Sequence, residues 1–131
     1  MLNGIKIQKR AELFHQKLMT IGASLGCHQL PERSFSINEF QFPICARCTG
    51  VLIGNIIGIC GVYNSTLKWN TLVLGCGIMY LDWHLQFLRL IDSSNARRFF
   101  TGIIGGYSLT SIYINAIFYL INLVKLILVK V

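Results

Sequence analysis

Charge is scarce in this chain, and acid is scarcer still. Only 13% of the 131 residues are charged, with five Asp and Glu against 12 Lys and Arg. A soluble domain carries about a quarter charged residues and needs them to cover its surface. A surface that faces lipid needs none. Five cysteines are an odd number, which excludes a fully paired disulfide framework within one chain. What is abundant is apolar: 53% of residues are hydrophobic and the mean hydropathy is +0.57, which excludes disorder. The net charge of +7 falls in clusters between apolar runs, where membrane proteins keep it, so nucleic acid is not the expected partner. The composition points to a small integral membrane protein in contact with the lipid bilayer, and the length allows one unit, 1–131.

The periodicity predicts an all-α fold with about three transmembrane helices. Residues 1–26 read as an amphipathic helix, with Ile7, Phe14, Leu18 and Ile21 near one face and Lys17 breaking any spanning run. Such a helix can lie in the membrane interface or pack on the protein itself. Residues 27–48 form a polar segment that holds both prolines, Pro31 and Pro43, and reads as loop and short turns. Apolar runs follow at 49–63, 71–88 and 99–124, separated by polar turns at Asn64–Ser65 and at Asp92–Asn95. The last run has no charge and exceeds the roughly 20 residues that cross the hydrocarbon core. Gly50, Gly54 and Gly58 recur every fourth residue along the first run, a spacing that lets another helix approach closely.

With the first helix lying flat, Lys6, Lys9, Arg10, Lys17, Arg33, Arg47, Arg89, Arg97 and Arg98 share one side of the membrane. Lys68, Lys125 and Lys130 take the other. The positive-inside rule then puts the N-terminus and the Cys-rich loop in the cytoplasm of a multi-pass cell-membrane protein. Thiols there stay reduced, so close cysteines are expected to be ligands or nucleophiles. The same topology brings the start of the first run, the end of the second and the start of the third to one membrane face.

Chemistry concentrates at that face. Cys45 and Cys48 form a C-x-x-C, with Cys27-His28 upstream; two thiolates at that spacing can hold one ion, and Cys27 with His28 or Asp82 can complete a tetrahedron. Zinc (Zn2+) suits this donor set best. Alternatively, a low-pKa cysteine beside Arg47 could attack a disulfide, or the cysteines could simply be buried. Cys60 and Cys76 lie among apolar neighbours and are expected to be inert. Asp82 is costly at the edge of a span and needs a partner. Gln86 and Arg89 follow at i+4 and i+7 on its helical face, so Asp82 is either a ligand or general base, or a clamp to Arg89 or Arg98. Ser94 and Asn95 are natural N-caps for the last run, and Arg97 and Arg98 in its first turn make a place for an anion. Glu32 is the second candidate catalytic carboxylate; Arg33, Arg47, Gln86, Asn95 and Arg98 are candidate anion ligands.

Cys27-His28-Gln29-x-Pro31-Glu32-Arg33-Ser34-Phe35 and Gln41-Phe42-Pro43-Ile44-Cys45-Ala46-Arg47-Cys48-Thr49-Gly50 resemble the small membrane proteins called domain of unknown function 2085. Asp82-Trp83-x-x-Gln86 and Ser94-Asn95-x-x-Arg98-x-x-Thr101-Gly102 carry the resemblance further. It implies an integral membrane protein whose polar motifs work together, and it implies no reaction. Three functions are in competition. The first is a metal-dependent hydrolase or transferase acting on an anionic lipid-soluble or phosphate-bearing ligand. The second is a thiol-disulfide oxidoreductase with Cys27 as resolving thiol. The third is a scaffold or small transporter subunit, whose three short spans would enclose a path only as a homo-oligomer.

Overall fold

The computed structural model describes residues 2–37, 40–61, 68–92 and 94–129. The expected turn at Asn64–Ser65, the last two residues of the first apolar run, Asn38, Ser93 and Lys130 lie outside them. Among the described residues the fold has four α-helices: α1 (Leu2–Ser24), α2 (Ala46–Gly61), α3 (Trp69–Phe87) and α4 (Asn95–Val129). α4 is 35 residues long and is the one described helix long and apolar enough to cross a membrane; α2 is apolar but has 16 residues.

The segment expected as loop is more ordered than its prolines suggest. It holds a 3-10 turn at Pro31–Arg33 and a two-stranded antiparallel hairpin, β1 (Ser36–Ile37) and β2 (Phe40–Gln41), with Ser36 opposite Gln41. Pro31 opens the 3-10 turn, where a missing N–H costs nothing. α2 begins at Ala46, so Arg47 and Cys48 belong to a helical first turn rather than to the loop. Thr49 fixes that turn by returning both its N–H (2.9 Å) and its hydroxyl (3.1 Å) to Cys45 O.

Glycine sets the central contact. Gly50 and Gly54 face the backbone of Phe99, Ile103 and Tyr107, and Gly58 faces Thr110, while Gly102 and Gly106 on α4 face Arg47 and Val51. Partner numbers rise together, so α2 and α4 run parallel with backbones in contact. α3 runs antiparallel to α4: Gly75 meets Ser108, and Met79 meets Gly105. Asn55 braces the seam: with its amide turned so that the nitrogen faces acceptors, it donates to Gly106 O (3.0 Å) and Thr110 Oγ1 (2.9 Å). Few residues are buried, and large apolar side chains line the outside of all three helices, as expected where lipid is the solvent. Residues 117–129 of α4 are exposed on every side.

α1 stands apart and touches the rest through its C-terminal half. His15 Nε2 lies 2.7 Å from Gln41 O, its ring meets Phe40 edge-on, and Gly22 lies against Pro43 O. Ile7, Leu13 and Phe14 are exposed.

The seam yields a prediction. A Cβ at Gly54 would meet Ile103 O and come 2.7 Å from Tyr107 N, whereas one at Gly77 meets nothing within 4 Å. Gly54→Val should cost about 1–3 kcal/mol, and Gly77→Ala should be neutral or mildly stabilising. Melting temperatures in detergent measure both; equal losses would mean the seam is not the tight contact.

Candidate metal and carboxylate site

Two chain segments deliver the three thiols. α1 ends in a Schellman turn: Gly26, at φ +80°, donates to Ala23 O (2.9 Å), and Cys27 N–H reaches back to Gly22 O (3.2 Å). The left-handed residue that closes the helix therefore also points the chain, and Cys27, towards α2. Cys45 immediately precedes α2, and Cys48 lies one turn on. Cys45 N–H donates to Cys27 Sγ (3.1 Å), and Cys45 Sγ lies 3.3 Å from Cys48 Sγ. The three sulfurs lie within 4.8 Å of one another, and all three thiols are free. Ligands on a tetrahedral zinc at 2.3 Å stand about 3.8 Å apart, so the group has the right size for one ion. His28 is exposed beside this group and is not a member of it. Cys60, twelve residues beyond Cys48, and Cys76 lie elsewhere.

The Cys45 thiol is acidic, its pKa lowered to about 5. The hydrogen bond from the Cys48 thiol is the main cause; backbone N–H groups of Cys48 and Arg47 and the Cys27 thiol assist, against burial. A helix N-terminus favours negative charge in the same way.

Amides hold the loop that carries these thiols. Gln29, in left-handed conformation at φ 50°, donates to both Met19 O (2.7 Å) and Pro43 O (2.6 Å). Its own carbonyl accepts from Gln41 Nε2 (2.6 Å), which also donates to Ser34 Oγ (3.2 Å). Asn95 ties α4 to the loop by donating to Ser34 O (3.1 Å). Spacing alone does not disclose these roles, because the partners lie 7 to 61 residues away and follow no helical or strand period.

Beside the thiols, the Asp82 carboxylate is buried and surrounded. Oδ2 accepts from Arg47 Nη2 (2.7 Å), Gln86 Nε2 (2.6 Å) and Thr101 Oγ1 (3.2 Å). Arg97 Nε lies 2.7 Å from Oδ1, an ion pair whose N–H is not aimed at the oxygen, so Oδ1 has charge contact without a directed hydrogen bond. The expected partners are thereby corrected. α3 stops at Phe87 and Arg89 is left-handed (φ 54°), so Arg89 leaves Asp82's helical face. Arg98 instead donates to Gln86 Oε1 (3.0 Å) and Asn95 Oδ1 (3.2 Å). The sequence marks Arg97 with Arg98 as a place for an anion but connects neither Arg97 nor Thr101, a helical turn apart on α4, with Asp82; a partner on another helix leaves no spacing signal.

A cavity of about 410 Å³ joins the two groups, lined by the three cysteines, His28, Arg33, Arg47, Gln86 and Arg98. Glu32 is exposed on the 3-10 turn and lines a neighbouring polar cavity with Arg89, Asp92 and again Arg33, Gln86 and Arg98. The structure therefore does not bring Glu32 and Asp82 into contact.

A family model described as "Predicted membrane protein (DUF2085)" matches residues 27–112. An uncharacterized protein of Methanocaldococcus jannaschii is 35% identical over 104 residues, 73% of this chain and 65% of that protein. Another, from Methanothermobacter thermautotrophicus, is 30% identical over 88 residues, 63% of this chain and 79% of that protein. The chain thus spans 65% of the length of the first relative. No solved structure matches.

The geometry of Asp82 separates a clamp from a ligand. Asp82→Asn keeps an acceptor but leaves Arg47 and Arg97, both partly solvated, without their counter-charge, a loss of about 1–3 kcal/mol. The variant should melt at a markedly lower temperature, yet its folded fraction should retain any metal held by the cysteines. Unchanged stability with loss of metal would make Asp82 a ligand.

Proposed function

The chain belongs to the DUF2085 family of predicted membrane proteins, and from that premise we propose that it is a metal-binding integral membrane protein with an open metal site. The observation that carries this is the group of three sulfurs from Cys27, Cys45 and Cys48, which borders a cavity. Three thiolates satisfy three of the four positions of zinc and leave one for water or substrate, the arrangement of catalytic rather than structural sites. His28, which lines the same cavity, is the side chain best placed to close the fourth position. An ion so placed can polarise an oxygen or lower the pKa of bound water. With arginines lining the same space, hydrolysis or transfer on an anionic, lipid-soluble substrate is the activity that fits best. In this reading Asp82 positions Arg47 and the start of α4 instead of reacting, and Glu32 at the rim of the neighbouring cavity is the remaining candidate base.

One observation favours a second reading. Cys45 and Cys48 sulfurs 3.3 Å apart, one of them acidic, suit thiol–disulfide exchange with a substrate disulfide.

Metal analysis decides between them. The purified chain should carry about one zinc per molecule, lost in Cys27→Ser, Cys45→Ser and Cys48→Ser and kept in Cys60→Ser and Cys76→Ser. A metal-free wild type whose Cys45–Cys48 pair cycles with a dithiol would establish the redox reading instead.

The membrane arrangement that accompanies this proposal has α2, α3 and α4 crossing, with the thiols on the cytoplasmic side. In a cysteine-free background, Ser65→Cys should react with an impermeant thiol reagent on intact cells and Asn38→Cys should not. The reverse pattern would place the site outside.

A further inference from the structure

We propose that the cavity beside the thiols is a binding site for a phosphate group, supplied as free phosphate or as a lipid headgroup. This deepens the reading above by naming what the site holds. Arg33, Arg47 and Arg98 converge on this one cavity, and no carboxylate lines it. Among the described residues, the ion pairs are those of Arg47 and Arg97 with Asp82. Among the described residues Arg33 and Arg98 form no direct ion pair, although Asp82 and Cys45 act on Arg98 from a distance. Arg47 spends one Nη on Asp82, and its Nε is buried without a partner. Three guanidinium groups thus share one buried carboxylate, Arg47 and Arg97 directly and Arg98 through Gln86.

Like charges gathered around one cavity repel one another unless something neutralises them. No carboxylate lines the cavity, and a single thiolate at Cys45 cannot balance three arginines, so a ligand is expected to supply the rest. Guanidinium forks match the oxygens of phosphate two at a time, which a single ammonium cannot do. A lone carboxylate would answer one arginine; a phosphate monoester carries close to two charges and three free oxygens. Leu30 and Trp83 line the same cavity and add an apolar wall, which suits an ester with a greasy alcohol. Arg98 is already oriented for this role by Gln86, whose other end is held by Asp82. The buried carboxylate therefore sets the direction of two of the three arginines.

The test uses the full chain, in detergent with inorganic phosphate and in nanodiscs of phosphatidylcholine with or without phosphatidic acid, at constant ionic strength. Binding should be saturable, and Arg33→Gln should weaken it by about tenfold or more. Arg33 lies on the exposed 3-10 turn, so its loss should not unfold the protein, and Arg33→Lys should restore part of the affinity. Lys68→Gln, at the opposite end of α3, should leave binding unchanged. Saturation by inorganic phosphate identifies the free ion as sufficient; saturation by phosphatidic acid alone identifies the headgroup. Failure of both probes to bind, or binding indifferent to Arg33→Gln, overturns the proposal. A metal-free wild type that still binds phosphate through Arg33 would sink the metal reading and leave this one standing. Metal bound without phosphate binding would do the reverse.

Discussion

The Asp82 carboxylate is the constraint on which the arrangement depends. It is one negative charge, 3% exposed, and it reaches Arg47 on α2, Gln86 on its own helix and both Arg97 and Thr101 on α4. A buried ion pair is weak evidence of net stability, because desolvation offsets most of the attraction. Its geometric effect is less ambiguous. Arg47 lies between Cys45 and Cys48, so anchoring its guanidinium to α3 also fixes the azimuth of the first turn of α2, and with it both thiols. Gln86 passes the same constraint on to Arg98. Thiol cluster and arginine cavity are thus two sides of one hub.

That hub could not form if α2 and α4 stood at an ordinary distance. Helix axes separated by bulky side chains lie 8–10 Å apart, and a short link such as Arg47–Asp82–Arg97 would have to stretch. Gly50, Gly54, Gly102 and Gly106 remove the side chains along the seam, so backbone meets backbone from Arg47 to Tyr107. In lipid, where apolar burial drives little association, such close packing supplies much of the attraction. The glycines are therefore part of the site at one remove: they set how near the ends of three helices come.

How much of this is legible in the sequence depends on range. The glycine repeat on α2, the Asp82–Gln86 pair at i+4 and the four helices all follow from periodicity, because each is a statement about one element. Grouping Cys27 with the C-x-x-C followed from donor chemistry and topology. The chain hides what lies between elements. Arg89 has the right spacing to clamp Asp82, but the helix ends two residues earlier, whereas Arg97 has no spacing relation to Asp82 and is the actual partner. The small hairpin at Ser36–Gln41 is equally hidden, since two-residue strands carry no alternation to read. Gln29 illustrates the same limit: one side chain joins α1 to Pro43 through two carbonyls that no local pattern connects.

The lengths of the helices bear on where the hub sits. α4 runs 35 residues, about 52 Å, while α2 spans about 24 Å and α3 about 28 Å. α2 and α4 start at the same end, so α4 overhangs at the other, with residues 117–129 apolar and exposed. Asp82 and the arginine-lined cavity lie at the opposite end, where α2 and α4 begin and α3 stops. The glycine seam brings those three helix ends together, so the charges of the site gather at one end of an otherwise apolar bundle. A buried carboxylate is least costly there, because guanidinium and amide donors from all three helices can reach it without lying among apolar side chains.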